Sequence, residues 1–280
     1  MAERRDIELY DGFVDTLRRF IVEHRVTYRE YNAAMQYALD LAQAGEIPLF
    51  MDVFFESTVE AVTFEDQARE GMIGTVEGPF YLPGAPMLRR PYVMPMRPDE
   101  PGDLLFFSGT VRSSDGRPLA GALLDLWHAD ANSVYSNIPY PNGAHLGVPE
   151  FNLRGRLTTD ENGAFEVRTI VPSAYTIPNA GPTGHLLEQV LGRHSWRPAH
   201  LHIMVTAEGH RTLTTSLYFE GDRWLDSDCA NAVKQELIVR LEPHDSPADL
   251  AARGVDRPYF TTSYDFRLLP EAVPALAAAR

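Results

Sequence analysis

Cysteine and lysine are nearly absent: Cys229 and Lys234 are the sole examples in 280 residues. One thiol excludes an internal disulfide and a Cys-rich zinc site, and it suits a reducing cytoplasm. No run of about 18 apolar residues occurs, so membrane insertion is not expected. The charged start, Met1-Ala-Glu-Arg-Arg5, lacks the apolar core of a signal peptide. A formal net charge of −14 disfavours nucleic acid and anionic membrane surfaces as partners. Also missing are a Gly-x-Ser-x-Gly elbow, a Walker-type loop and a His-Glu-x-x-His helix. Gly102, Gly109 and Gly116 form no dinucleotide fingerprint. Cys229 has no fixed histidine neighbour and reads as a small buried hydrophobe.

What is present changes character near residue 75. Tyr10, Phe13, Val14, Leu17 and Ile21 recur at helical spacing. Thr27-Tyr-Arg-Glu30 is a capping box, and Tyr31, Met35, Ala38, Leu39 and Ala42 follow on one face until Gly45. Pro48 suits the start of a third helix carrying Leu49, Val53, Phe54 and Val59. From Gly74 to Gly102 the chain is rich in Gly and Pro, an irregular connector with interleaved aromatics. Strands are then expected at Leu104–Val111, Ala122–His128, Leu153–Thr159, Ala164–Ile170, His200–Thr206, Leu213–Phe219 and Tyr259–Leu269. Asp160-Glu-Asn-Gly163 reads as a hairpin turn, and a second turn lies at Glu208-Gly209. The fold class is therefore mainly β with an N-terminal helical part: helices over 1–75, a connector over 76–102, and an antiparallel β-sandwich over 103–280. Pro270 to Arg280 is Ala-rich and expected to fray.

Two long loops, Ala129 to Asn152 and Pro172 to Pro198, are natural places for a site. His200 and His202 leave the same face of a strand, so two imidazoles can meet one metal ion. The same spacing also suits two histidines on a half-exposed sheet face. No particular acid completes a facial triad. Phenolate is the other anionic oxygen donor available, and the loops carry Tyr135, Tyr140 and Tyr175. Spacing alone leaves each of these open between a ligand and a rim aromatic.

Several motifs, in their order along the chain, carry a resemblance that bears on the choice. Gly78-Pro-Phe80, Asp125-Leu-Trp-His128, Tyr135-Ser136, Arg168-Thr169, Ile177-Pro178, Gly181-Pro-Thr-Gly184 and Gly192-Arg-His-Ser-Trp-Arg-Pro-Ala-His-Leu-His202 resemble the intradiol ring-cleavage dioxygenases over nearly the whole chain. The branch they resemble handles catechol, chlorocatechol and hydroxyquinol. Met96 to Gly102, Tyr218-Phe-Glu-Gly221 and Trp224 to Cys229 look like its chlorocatechol members. The resemblance implies one non-haem Fe(III) per subunit, held by Tyr135, Tyr175, His200 and His202. It implies an aromatic diol opened by O2 to a cis,cis-muconate. Tyr175 would leave the metal and take a substrate proton, and Arg197 would face the substrate. It also nominates Leu49, Asp52, Val53, Gly78, Phe80, Ser216 and Cys229 around the ring, and it leaves Tyr140 without a role. It further implies a cytoplasmic homodimer through the N-terminal helices, with phospholipid between them in many relatives. Phe13, Leu17, Phe20 and Ile21 offer the apolar surface. One departure stands out: relatives carry glutamine, or histidine in hydroxyquinol enzymes, where this chain has Ser216. Three alternatives remain: a hydroxyquinol dioxygenase giving maleylacetate, a zinc hydrolase using the two histidines, and a non-catalytic β-sandwich binding module.

Overall fold

The computed structural model describes residues 4–138 and 148–271; Tyr140 and 272–280 lie outside them. Helix α1 spans Arg4–Glu23 and α2 spans Tyr28–Ala44. The expected capping box is present: Glu30 N donates to Thr27 Oγ1, and Thr27 N donates to the Glu30 carboxylate at 2.8 Å. The third helix starts one residue before Pro48 and is not uniform. It runs as α3 (Ile47–Met51), a π-helical turn (Asp52–Glu56) and α4 (Ser57–Thr63), with α5 (Glu65–Arg69) following. A π turn inserts an extra residue and re-aims the face, which a 3.6-residue period does not show. Val53 is buried at that turn.

The strands are β1 (Tyr92–Val93), β2 (Leu104–Ser113), β3 (Leu123–Trp127), β4 (Arg154–Thr158), β5 (Ala164–Ile170), β6 (Tyr175–Thr176), β7 (Trp196–Arg197), β8 (His200–Thr206), β9 (Leu213–Phe219), β10 (Ile238–Val239), β11 (Glu242–His244), β12 (Tyr259–Ser263) and β13 (Phe266–Leu268). Short helices α6 (Pro182–His185) and α7 (Pro247–Arg253) lie between strands. One sheet has the order β1-β5-β2-β12-β11, with β13 also on β2; the other runs β10-β9-β8-β3-β4. Leu105, Phe107 and Val167 from the first sheet and Leu124, Leu126, Leu201, Ile203 and Val205 from the second share one core.

Three details differ from the pattern read in the sequence. The sandwich is mixed: β1 on β5, β10 on β9, and both β12 and β13 on β2 are parallel, while β3, β4, β8 and β9 are antiparallel among themselves. The Asp160–Gly163 turn forms, with Gly163 N donating to Asp160 O at 3.0 Å, yet it joins no hairpin. Strand β4 pairs in one sheet and β5 in the other, so Leu157 and Phe165 meet the core from opposite layers. The late strand breaks into β12 and β13 at Tyr264-Asp265, where Asp265 accepts from Thr110 N at 2.9 Å.

Candidate active site

Strand β8 is buried on both faces. Leu201, Ile203 and Val205 point to the core, so period two sends His200 and His202 to the outer face of their sheet. Cross-strand partners on that face are Trp127 of β3 and Ser216 of β9 for His202, and Tyr218 of β9 for His200. Trp127 stacks on His202 with ring centroids 4.8 Å apart and 2° between planes. The His200 and His202 Nε2 atoms lie 2.9 Å apart. His200 Nδ1 is 2.7 Å from Pro198 O. A carbonyl can only accept, so that nitrogen carries the proton and Nε2 keeps its lone pair. Burial holds both imidazoles neutral: His200 is pushed down to about 3 and His202 well below its ordinary value.

The two long loops cover this face with tyrosines. Part of the second loop folds as a two-stranded ribbon, β6 against β7, in which Tyr175 is opposite Arg197. Tyr135 comes from the first loop, which is pinned by buried Arg154. Its Nη1 donates to Phe80 O at 2.7 Å and its Nη2 to Ser136 O at 3.0 Å. The Tyr135 and Tyr175 rings meet edge-on at 5.3 Å, and Tyr175 lies 5.5 Å from the His200 ring. Burial raises both phenols, with the Arg197 charge opposing it. Phenols so placed ionise when a cation sits against them.

Arg197 is 3% exposed, and Asp228 answers its charge. Nε donates to Asp228 Oδ1 at 3.0 Å and Nη2 to Oδ2 at 3.2 Å, leaving Nη1 3.5 Å from His200 Nε2. Nη2 also reaches Tyr218 Oη at 3.3 Å. Neither Asp228 nor Tyr218 is suggested by spacing, because their contacts with Arg197 span 31 and 21 residues.

Beside Tyr175 and Arg197 opens a cleft lined by Leu49, Asp52, Val53, Gly78 and Phe80, all nominated from the sequence. Gly78 has φ +73, and a Cβ there would stand 3.7 Å from His202 Cε1. Glu56, unnoticed in the sequence, lines it too; burial raises its carboxyl, as it does that of Asp52. Two nominated residues do not line this cleft, although Cys229 packs against the cluster that holds Val53, Phe80, Tyr135 and Tyr175. Ser216 is wholly buried behind His202, its Oγ 3.0 Å from Nδ1. Cys229 faces a separate pocket with Leu187, Arg193 and His194, and its Sγ contacts Ser195 O at 3.4 Å.

The chain matches the model for the catechol dioxygenase N terminus over residues 3–71 and the dioxygenase model over residues 76–270. It belongs to the intradiol ring-cleavage dioxygenase family. Chlorocatechol 1,2-dioxygenase of Rhodococcus opacus is 46% identical over 248 residues, covering 88% of this chain and 93% of that protein. The crystal structure of 3-chlorocatechol 1,2-dioxygenase from Rhodococcus opacus 1CP superposes with a TM-score of 0.84 at 42% identity, covering 95% of this chain and 98% of that one. Hydroxyquinol 1,2-dioxygenase from Pseudomonas putida DLL-E4 reaches 0.83 at 32% identity, covering 97% and 94%. The chlorocatechol branch of the family is thus the better match to this dioxygenase in sequence, at nearly equal structural similarity.

Proposed function

We propose that this dioxygenase opens a catechol-type diol with O2 between its two hydroxylated carbons, giving a cis,cis-muconate, and that it prefers chloro- or otherwise substituted rings. The observation that carries this is the convergence of two buried phenols, two neutral imidazoles and Arg197 beside a cleft lined by Leu49 and Phe80.

The donor set fits one non-haem Fe(III) per subunit, held by Tyr135, Tyr175, His200 and His202. Two Nε2 atoms at 2.9 Å with buried, neutral rings suit one cation. Two phenolates suit a hard ferric ion, whereas a zinc site draws on His, Cys and carboxylate. Among the described residues no group of three or more His, Cys, Asp or Glu converges. Ferric iron, when bound, would supply the Lewis acidity that keeps the phenols ionised and draws charge from the diol.

The chain's own groups do the rest. Tyr175 sits at the edge of the cleft and takes a hydroxyl proton from the entering diol at its phenolic oxygen. Arg197, fixed by Asp228 with its Nη1 beside His200, lines the same cleft and stabilises negative charge on the ring. Phe80 and Val53 confine the ring and exclude water. Asp52 gives the cleft a polar wall, which would suit the third hydroxyl of hydroxyquinol.

We also read residues 1–75 as a dimerisation part, 76–102 as a connector and 103–280 as the catalytic domain of a cytoplasmic enzyme. Phe13 and Leu17 of α1 are 62% and 46% exposed, an apolar face that a partner subunit, with phospholipid between, would cover. Among the described residues no helix is long and apolar enough to cross a membrane.

Oxygen uptake with catechol, methylcatechols, chlorocatechols and hydroxyquinol, with product spectra, tests the reading. We expect muconate products, the highest kcat/KM on a substituted catechol, and a wine-red protein from phenolate-to-Fe(III) charge transfer. Faster turnover of hydroxyquinol would move it to that branch. A colourless, iron-loaded, active preparation would remove the tyrosines from the ligand set.

A further inference from the structure

We infer that Ser216 serves the metal site through His202, as a positioning residue, and does not select the substrate. This rests on the four-ligand reading above. Ser216 and His202 are direct cross-strand partners on the outer face of their sheet. Ser216 is completely buried, and its Oγ stands 3.0 Å from His202 Nδ1. Trp127, on the other side, lies parallel to the imidazole and fixes the plane of the ring. With the plane set, one ring nitrogen must face Ser216 and the other His200.

A neutral imidazole carries one N–H. When His202 Nδ1–H donates to the Ser216 hydroxyl oxygen, Nε2 presents its lone pair on the side where His200 Nε2 does the same. His200 has its own proton holder, the Pro198 carbonyl. Ser216 is the counterpart for His202, a side-chain oxygen on the neighbouring strand where His200 uses backbone. Replacing that oxygen leaves a buried N–H without an acceptor whenever Nε2 is a ligand, and loss of such a partner weakens metal binding by about 10–100-fold. The cleft walls, Asp52, Phe80, Tyr175 and Arg197 among them, do not include Ser216. Ring preference therefore does not read residue 216.

The test uses the full chain with Fe(III), its affinity measured by chelator competition on the visible charge-transfer band. Ser216→Ala should bind iron about 10–100-fold more weakly. Ser216→Thr, which keeps the hydroxyl, should stay within a few-fold of wild type. The catechol to 4-chlorocatechol ratio of kcat/KM, taken at saturating iron, should be unchanged in Ser216→Ala. Wild-type iron affinity in Ser216→Ala overturns the inference, as does an equal loss in Ser216→Thr or a shifted substrate ratio. Should Ser216→Ala not fold, the wild-type chain loaded with diamagnetic Ga(III) and labelled with 15N-histidine decides. A pyrrole-type Nδ1 on His202 is expected, and a pyridine-type Nδ1 overturns the role of Ser216. If wild type shows no tyrosinate band with iron, the four-ligand reading itself falls and the inference with it, a result separate from any variant difference.

Discussion

A guanidinium as buried as Arg197 has to have its charge answered, and Asp228 does so through two nitrogens. The carboxyl of Asp228 is itself buried, which raises it, yet the Arg197 charge prevails and holds it below its ordinary value. The pair makes a rigid neutral unit that leaves Nη1 directed at His200. Asp228→Asn keeps the shape and removes the countercharge, so we expect a loss of about 3–5 kcal/mol in urea unfolding. A change within about 0.5 kcal/mol would mean that the guanidinium finds another partner. Tyr175 raises a different question, since the proposed reaction needs its oxygen and not its ring. Tyr175→Phe keeps the contacts with Tyr135 and Phe80 and loses the proton acceptor. Single-turnover rates should fall by about 10²–10⁴-fold with iron still bound. Wild-type rates would put the base elsewhere.

At the scale of elements, local signals and long-range contacts separate cleanly. The capping box at Thr27, the alternation in β8 and the turn at Glu208-Gly209 are local, and each is visible in a window of a few residues. The π turn at Asp52–Glu56 is not, because nothing in the spacing announces one extra residue per turn. The Asp160–Gly163 turn has hairpin chemistry but crosses between layers, and which sheet receives β5 depends on β2, about 60 residues earlier. The same limit applies to the site. His200 and His202 can be paired by alternation, whereas the meeting of Tyr175 with Arg197 needs the β6–β7 ribbon. Tyr135, Tyr175 and Arg197 were legible through motif resemblance, and Asp228 and Glu56 were not. Gly109 shows how tightly such long-range fits are made. A Cβ there would overlap the carbonyl of Tyr264, whose own N–H donates to Ser108 O at 3.1 Å at the break between β12 and β13. Gly109→Ala should therefore cost about 1–3 kcal/mol by overpacking against backbone. Thermal unfolding measures this, and an unchanged Tm would show that the break can move aside.

Over the whole molecule, the two sheets are joined by more than apolar contact. His128 follows β3 in one layer, and its Nε2 lies 2.7 Å from Thr169 Oγ1 of β5 in the other; its Nδ1 lies 2.8 Å from Ala129 O. The carbonyl fixes the proton on Nδ1, so Nε2 accepts from the threonine and the ring is satisfied while neutral. Burial pushes His128 down to about 4, whereas in the unfolded chain it titrates near 6.5. Between those two values the unfolded state holds more protons, so stability falls as pH falls. The loss is on the order of 3 kcal/mol across the window. Asp125 opposes it: burial pushes its carboxyl up to about 6, so the folded state gains a proton as pH falls from 6 toward 4. Wild type should thus show a shallow pH profile in which two titrations partly cancel. His128→Gln removes one of them. It should be less stable than wild type at pH 7, having lost a well-packed ring between the sheets, and the gap should close on acidification to pH 4.5 by on the order of 2–3 kcal/mol. Urea unfolding at pH 7, 5.5 and 4.5 reads this directly. A gap that stays constant with pH would mean that His128 takes up its proton in the folded protein at the same pH as in the unfolded chain, and that burial does not hold the ring neutral.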